Sequence, residues 1–242
     1  MKTKRVIARL DIKNNALVKG IHLEGLRVLG EPRNFAKIYY EDGIDEIIYM
    51  DVVASLYERN GLVELIQKTA KEIFIPLTVG GGIRSLNDLA TLLSAGADRV
   101  CINTAAVQRP ELISEIVEVY GSSTLIIAVE AIKVNGEYLV FTDNGREHTG
   151  LKVSDWVKKI EELGAGEILL TSVDREGTGK RIDTELIELV RKSVNISIIV
   201  HGGVGSFQNV QDTLQDLNID AICIASLFHY NTIISARSLD KS

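Results

Sequence analysis

Two carboxylates stand where short apolar runs end. Arg5-Val6-Ile7-Ala8-Arg9-Leu10-Asp11 reads as a strand finishing on Asp11, and Leu125-Ile126-Ile127-Ala128-Val129-Glu130 as one finishing on Glu130. An opposed pair of this kind does general acid–base work when its surroundings hold one group protonated and the other ionised. The same groups could instead cap a loop or pair with Lys13, Lys19 or Lys133. A second chemistry lies in glycine. Ile75-Pro76-Leu77-Thr78-Val79-Gly80-Gly81-Gly82-Ile83-Arg84-Ser85 is an apolar strand running into three glycines, with a helix behind it that Ser85 can cap. Bare glycine N–H groups at a helix start make an anion site, most often for phosphate. Ile198-Ile199-Val200-His201-Gly202-Gly203-Val204-Gly205-Ser206 repeats strand, glycines and serine 121 residues later.

The elements that must hold these groups follow from periodicity and punctuation. Residues 14–30 are polar and glycine-spaced without clear period, and read as a long loop. Helices are expected at 32–42, 61–72 and 85–94, with strands at 46–51 and 99–104, and Pro110 opens a further helix. Residues 133–150 alternate and turn at Asn135-Gly136 and Asn144-Gly145, the pattern of an inserted β-hairpin. Helices 154–163, 183–193 and 206–216 then alternate with strands 167–172, 196–201 and 221–225, leaving at most a short last helix after Ser226.

Strand and helix alternate eight times, which implies a parallel sheet with crossover helices. Eight units in 242 residues close as one (β/α)8 barrel domain spanning 1–242. An internal repeat divides it into two half-barrels, about 1–121 and 122–242. Asp11-Ile12-Lys13 matches Glu130-Ala131-Ile132-Lys133, and Gly43-Ile44-Asp45-Glu46-Ile47 matches Gly164-Ala165-Gly166-Glu167-Ile168. Asp98-Arg99-Val100-Cys101-Ile102-Asn103-Thr104 likewise matches Asp220-Ala221-Ile222-Cys223-Ile224-Ala225-Ser226. In this fold the site lies at the carboxyl ends of the strands. Asp11 and Glu130 then face each other across the mouth. Each half supplies a phosphate cradle: Gly81, Gly82, Asn103 and Thr104 in the first, and Gly177, Gly202, Gly203, Ala225 and Ser226 in the second. Two cradles across one mouth imply an elongated ligand with a phosphate at each end.

The bulk composition narrows the partners. The chain is 45% hydrophobic and 25% charged with net charge −6 and no lysine/arginine block, which argues against nucleic acid and anionic membranes. Cys101 and Cys223 lie in apolar runs and read as buried free thiols. His22, His148, His201 and His229 are scattered, without zinc spacing, and nothing calls for a metal or cofactor. No apolar run approaches the roughly 20 residues of a membrane span. Met1-Lys2-Thr3-Lys4-Arg5 imitates a signal start, but Arg9 and Asp11 break the run behind it, so a cytoplasmic location is expected.

Ala8-Arg9-Leu10-Asp11-Ile12-Lys13, Val79-Gly80-Gly81-Gly82-Ile83, Cys101-Ile102-Asn103-Thr104-Ala105-Ala106, Gly164-Ala165-Gly166-Glu167-Ile168-Leu169-Leu170-Thr171-Ser172 and Gly202-Gly203 together resemble the cyclase subunit of imidazole glycerol phosphate synthase, the HisF family. The resemblance covers nearly the whole chain. It implies a TIM-barrel lyase of histidine biosynthesis that closes an imidazole ring on a bis-phosphorylated formimino-carboxamide ribonucleotide, without cofactor. It implies ammonia from a glutaminase subunit bound as a heterodimer on the amino-terminal face and passed through the barrel. Asp11 and Glu130 become the acid–base pair, and Lys19, Asp51, Thr171 and Glu176 the substrate contacts. Arg5, Glu46, Arg99 and Glu167 become the ammonia gate at the barrel floor, and Asp98 lies near the glutaminase interface. Without the family, those four charges read as a structural salt-bridge cluster.

The chain also departs from the family pattern. It has Glu130 and Glu176 where the family has aspartate, Cys101 and His201 where it has serine, Arg9 where it usually has cysteine, and Arg99 where it has lysine. With the loop 142–150 and the short C-terminus, these departures resemble a paralogous branch of surface-polysaccharide gene sets. That branch is proposed to pass ammonia for acetamidino groups on sugars, with cyclase chemistry weak or lost.

Overall fold

A computed structural model describes residues 4–53 and 59–239. Its first half runs β1 (Arg5–Lys13), β2 (Ala16–Ile21), β3 (Glu24–Gly30), α1 (Pro32–Glu41), β4 (Glu46–Asp51), α2 (Arg59–Thr69), β5 (Leu77–Gly80), α3 (Leu86–Ala95), β6 (Arg99–Ile102), α4 (Thr104–Gln108) and α5 (Glu111–Tyr120). The second half runs β7 (Leu125–Val134), β8 (Glu137–Thr142), β9 (Glu147–Lys152), α6 (Val153–Glu162), β10 (Glu167–Ser172), α7 (Thr184–Ser193), β11 (Ser197–His201), α8 (Phe207–Asp216), β12 (Ala221–Ile224) and α9 (Ser226–Leu239). Strands β1, β4, β5, β6, β7, β10, β11 and β12 pair in parallel in that order, and β12 pairs back to β1. The sheet is a closed (β/α)8 barrel, as the alternation of elements predicts.

Period-two alternation along each strand divides the core in two. Outward residues such as Ala8, Leu10, Ile47, Tyr49, Val100, Ile127 and Ile168 pack beneath the helices as one large cluster. Inward residues Ile7, Ile48, Cys101, Ile126, Ala128, Leu169, Ile199 and Cys223 form a separate apolar plug inside the bore. Both cysteines are buried and free. On β1 the inward positions continue past Ile7 to Arg9 and Asp11, so the chemistry sits directly above the plug. The two glycine–serine turns start helices as expected: Ser85 Oγ accepts from Asp88 N–H and Ser206 Oγ from Asn209 N–H.

Three expectations are corrected. Residues 14–30 are not a loop but the hairpin β2–β3, laid antiparallel on β1. Its tip places His22 at φ 53° and Leu23 at φ 62°, left-handed positions that usually announce themselves with Asn or Gly and here do not. The run 99–104 is strand only to Ile102, because α4 starts at Thr104. The last helix is not short: α9 runs 14 residues. The hairpin read into 133–150 is present as the end of β7 with β8 and β9, turning on Asn135 (φ 51°) and Gly136 (φ 86°). Residues 1–3 of the basic amino-terminal run lie outside the described residues. No helix among the described residues is long and apolar enough to cross a membrane.

Candidate active site at the barrel mouth

Two clefts open at the carboxyl ends of the strands. The larger, about 200 Å³, is lined by Gly81, Gly82, Asn103 and Thr104, with Asp51, Glu130, Thr171 and Arg9 on its walls. Gly81 (φ 99°) turns the chain so tightly that a Cβ there would lie 2.2 Å from the Asp51 carbonyl oxygen. Asp51 itself accepts from Val53 N–H at 3.0 Å. The smaller cleft, about 10 Å³, gathers Gly177, Gly202, Gly203, Ala225 and Ser226 with Glu176 and His201. Gly202 (φ 101°) and Gly203 (φ 92°) repeat the left-handed turn of Gly81 and Gly82 (φ 66°). All nine residues expected of the two cradles are thus brought together in two groups.

Each cleft has a hairpin leaning over it. The β8–β9 turn reaches the first: Asn144 Nδ2 donates to Val52 O at 2.7 Å and Gly145 N–H to Glu130 Oε2 at 2.8 Å. The β2–β3 tip reaches the second: His22 N–H donates to Glu176 O at 3.0 Å and Leu23 N–H to Glu176 Oε2 at 2.9 Å. Lys19 adds an ion pair to Glu176, and both side chains are about 1% exposed. Lys19 and Glu176 thus tie the hairpin to the β10–α7 loop.

The two carboxylates meet different surroundings. Asp11, 1% exposed, accepts from Arg9 Nε at 2.8 Å and lies 3.8 Å from Lys19 Nζ. Burial penalises its charge, but Arg9 and Lys19 outweigh that and hold its carboxyl below the usual carboxylate range. Glu130 makes no ion pair among the described residues. Its burial pushes the carboxyl up to about 7, against the opposing pull of Arg9 and of the Gly145 N–H. Asp11 is therefore ionised while Glu130 is poised to hold or release a proton near neutrality. Of the pairings left open, Lys19 does reach Asp11, whereas Lys133 turns away to Glu185 at 2.6 Å.

At the opposite end of the bore, four strand-start charges close a ring. Glu46 takes Arg5 at 3.0 Å and Arg99 at 3.2 Å, and Glu167 takes the other nitrogens of both arginines. Thr78 Oγ1 adds a bond of 2.7 Å to Glu46. The ring alternates in sign, with both glutamates buried beneath the apolar plug. Asp98 stands exposed beside it on the amino-terminal face and accepts from Leu77 N–H at 2.8 Å. Asp45 and Asp220 do the same for Val6 and Ile198, so Asp98 also has a structural task in tying neighbouring strands.

Arg9 and His201 carry weight that residue type and spacing did not assign. The signal for Arg9 was a cation two residues before Asp11 in an apolar strand; its guanidinium is 2% exposed at the mouth, with its charge acting on Asp11, Cys101, Glu130, His201 and Cys223. His201 is 5% exposed, its Nδ1 3.0 Å from the Cys223 carbonyl oxygen. Burial and then Arg9 push its imidazole down to about 4, so it is neutral at pH 7.

Comparison with known proteins shows the family. The family model described as histidine biosynthesis protein matches residues 5–234. The chain is 55% identical over 209 residues to the imidazole glycerol phosphate synthase subunit HisF of Legionella pneumophila, covering 86% of this chain and 99% of that protein. It is 46% identical to the HisF subunit of Lactococcus lactis subsp. cremoris strain SK11, covering 95% of this chain and 90% of that one. Against the HisF subunit of Thermotoga sp. strain RQ2 it is 44% identical, covering 96% and 92%. The chain belongs to the HisF family of imidazole glycerol phosphate synthase subunits.

Proposed function

We propose that the chain is the cyclase subunit of imidazole glycerol phosphate synthase. It uses glutamine-derived ammonia to convert a bis-phosphorylated formimino-carboxamide ribonucleotide into imidazole glycerol phosphate and aminoimidazole carboxamide ribonucleotide. The observation that carries this reading is the split pair of carboxylates at the mouth, an ionised Asp11 and a Glu130 titrating about 7, beside two glycine cradles. One phosphate lies on Gly81, Gly82, Asn103 and Thr104, and the other on Gly177, Gly202, Gly203, Ala225 and Ser226. Asp11 takes a proton from nitrogen as ammonia adds, and Glu130 returns one to the departing nitrogen. Lys19, Asp51, Thr171 and Glu176 hold the chain between the phosphates. The residues 1–121 and 122–242 form the repeated halves. Matching glycine turns and matching hairpins over opposite clefts support that division.

The partner is a glutaminase of the HisH type, docked on the amino-terminal face around Asp98. Ammonia passes the Arg5–Glu46–Arg99–Glu167 ring and the apolar plug, which favours the neutral molecule over ammonium. A second reading, ammonia supply to a sugar-modifying enzyme, is favoured by one observation: an Asp11 already held by Arg9 and Lys19 is a weak base. The deciding experiment follows loss of substrate absorbance with ammonium salt in place of a partner. Turnover that disappears in Asp11→Asn supports the cyclase. Tight binding without turnover supports ammonia supply instead.

A further inference from the structure

A (β/α)8 barrel fills its bore in layers, each drawn from alternate strands. The pairing registers set Ile48, Cys101, Leu169 and Cys223 in one layer, from β4, β6, β10 and β12. The layer directly above comes from β1, β5, β7 and β11 and holds Arg9, Gly80, Ala128 and His201. Gly80 and Ala128 contribute almost no bulk. The other two members are a guanidinium and an imidazole, 2% and 5% exposed. They stand where the family pattern has, usually, cysteine and serine, so this one layer carries two of the chain's departures.

Both large groups are fixed in place. His201 Nδ1 is 3.0 Å from Cys223 O, which holds the ring against β12. Arg9 Nε donates to Asp11 Oδ1 at 2.8 Å. The charge of Arg9 acts on Cys101 of β6, Glu130 of β7, His201 of β11 and Cys223 of β12, which sets the guanidinium towards the barrel axis. At the wall of β5 a Cβ on Gly80 would lie 2.7 Å from Met50 Sδ, so Met50 covers the gap that Gly80 leaves. Arg9 and His201 span the rest. The two clefts of the mouth end at this level. The larger has Cys101 in its floor and the smaller Cys223, yet the two thiols are 1% and 0% exposed.

We propose that Arg9 and His201 form a second gate, at the mouth end of the bore, held shut by the Arg9–Asp11 pair. It lies above the apolar plug, whereas the Arg5–Glu46–Arg99–Glu167 ring lies below it. A guanidinium keeps its proton, so this gate opens by movement and not by titration. A ligand that engages Asp11 competes with Arg9 for it. Glu130 and Glu176 are the other mouth carboxylates that the charge of Arg9 reaches, and they draw the freed guanidinium. What the bore carries is thereby admitted when a ligand already sits in the mouth. The gate rests on the ammonia-passage reading for its cargo, and on the packing of the bore for its existence.

The thiols beneath the gate report on it without turnover. Cys101 and Cys223 are labelled in the intact chain with the small reagent methyl methanethiosulfonate and, separately, with the bulky dithiobisnitrobenzoate. Peptide mass mapping follows each site, and thermal melts are the folding control. In Arg9→Ala the small reagent is expected to label at least about tenfold faster than in wild type, and the bulky one within about twofold, because a buried group reacts through its open form. Arg9 makes both thiols more acidic, so its loss alone would slow them, and a rise reports opening. Asp11→Asn keeps the shape of the tie without its charge and should show a smaller rise with the same selectivity. Arg9→Met refills the layer and should label as the wild type does. The gate is overturned if folded Arg9→Ala shows no selective rise, or if Arg9→Met rises equally. Should Arg9→Ala not fold, the absence of a selective rise in Asp11→Asn overturns it. The labelling involves no ammonia, so a failed passage reading shows elsewhere, as a wild-type glutaminase complex that releases its ammonia to solvent instead of to the mouth.

Discussion

At the scale of single residues, the mouth is governed by who holds a proton. The raised pKa of Glu130 means that folding favours its neutral form, so the native state binds more protons than the unfolded chain between the ordinary value of 4.5 and about 7. Stability from this group is therefore full at low pH and declines as pH rises through that window. At 1.36 kcal/mol per unit, the effect is on the order of 3 kcal/mol. Glu130→Gln should be more stable than wild type at pH 8 and close to it at pH 5, as denaturant unfolding at the two values will show. Asp11 has the opposite sign: its depressed pKa adds stability above the unfolded value that disappears as pH falls. Arg9→Ala removes one partner of that buried pair and should cost about 3–5 kcal/mol at neutral pH, much less in acid where Asp11 can protonate. Asp11, Glu130 and the glycines were legible in the sequence because strand ends and glycine runs mark themselves. The roles of Arg9 and His201 were not: Arg9 pairs with Asp11 on its own strand, but the groups its charge acts on, like the Cys223 carbonyl that His201 meets, are brought in by strands distant in sequence.

At the scale of elements, the two hairpins decide how the clefts are closed. The one after β7 was legible from Asn135-Gly136. The one after β1 turns first on Asn14 (φ 50°) and Asn15 (φ 60°), and was missed because its tip, His22 and Leu23, is left-handed without the usual residues and is held by Glu176. That hairpin rests on Gly177, where a Cβ would come 2.7 Å from Gly20 O and 2.9 Å from Ile21 Cα, at φ 71°. Gly177→Ala should lift the hairpin at a cost of about 1–3 kcal/mol. Limited proteolysis within residues 14–30 should then run roughly ten times faster, since cleavage follows the population of the open form. Unchanged cleavage would show that the hairpin is held elsewhere.

At the scale of the whole molecule, the barrel is a stack: charged ring, apolar plug, carboxylate mouth. Each level is one turn of the in–out alternation repeated on eight strands, which is why the fold followed so directly from eight strand–helix units. The ring was legible only as four charges at strand starts; its closure needs the barrel to bring β1, β4, β6 and β10 to one axis. Glu46 anchors it through both arginines and Thr78. Glu46→Gln is expected to cost about 3 kcal/mol, lowering the melting temperature by roughly 6–12 °C. An unchanged melt would mean that the arginines find other partners.

The account turns on one mouth holding two carboxylates in opposite protonation states. The most direct measurement is a carboxyl-carbon NMR titration of the side chains in wild type, Asp11→Asn and Glu130→Gln. The resonance lost in Glu130→Gln should titrate near pH 7, and the one lost in Asp11→Asn should stay ionised below the usual carboxylate range. Two carboxyls titrating together near pH 4 would contradict the account.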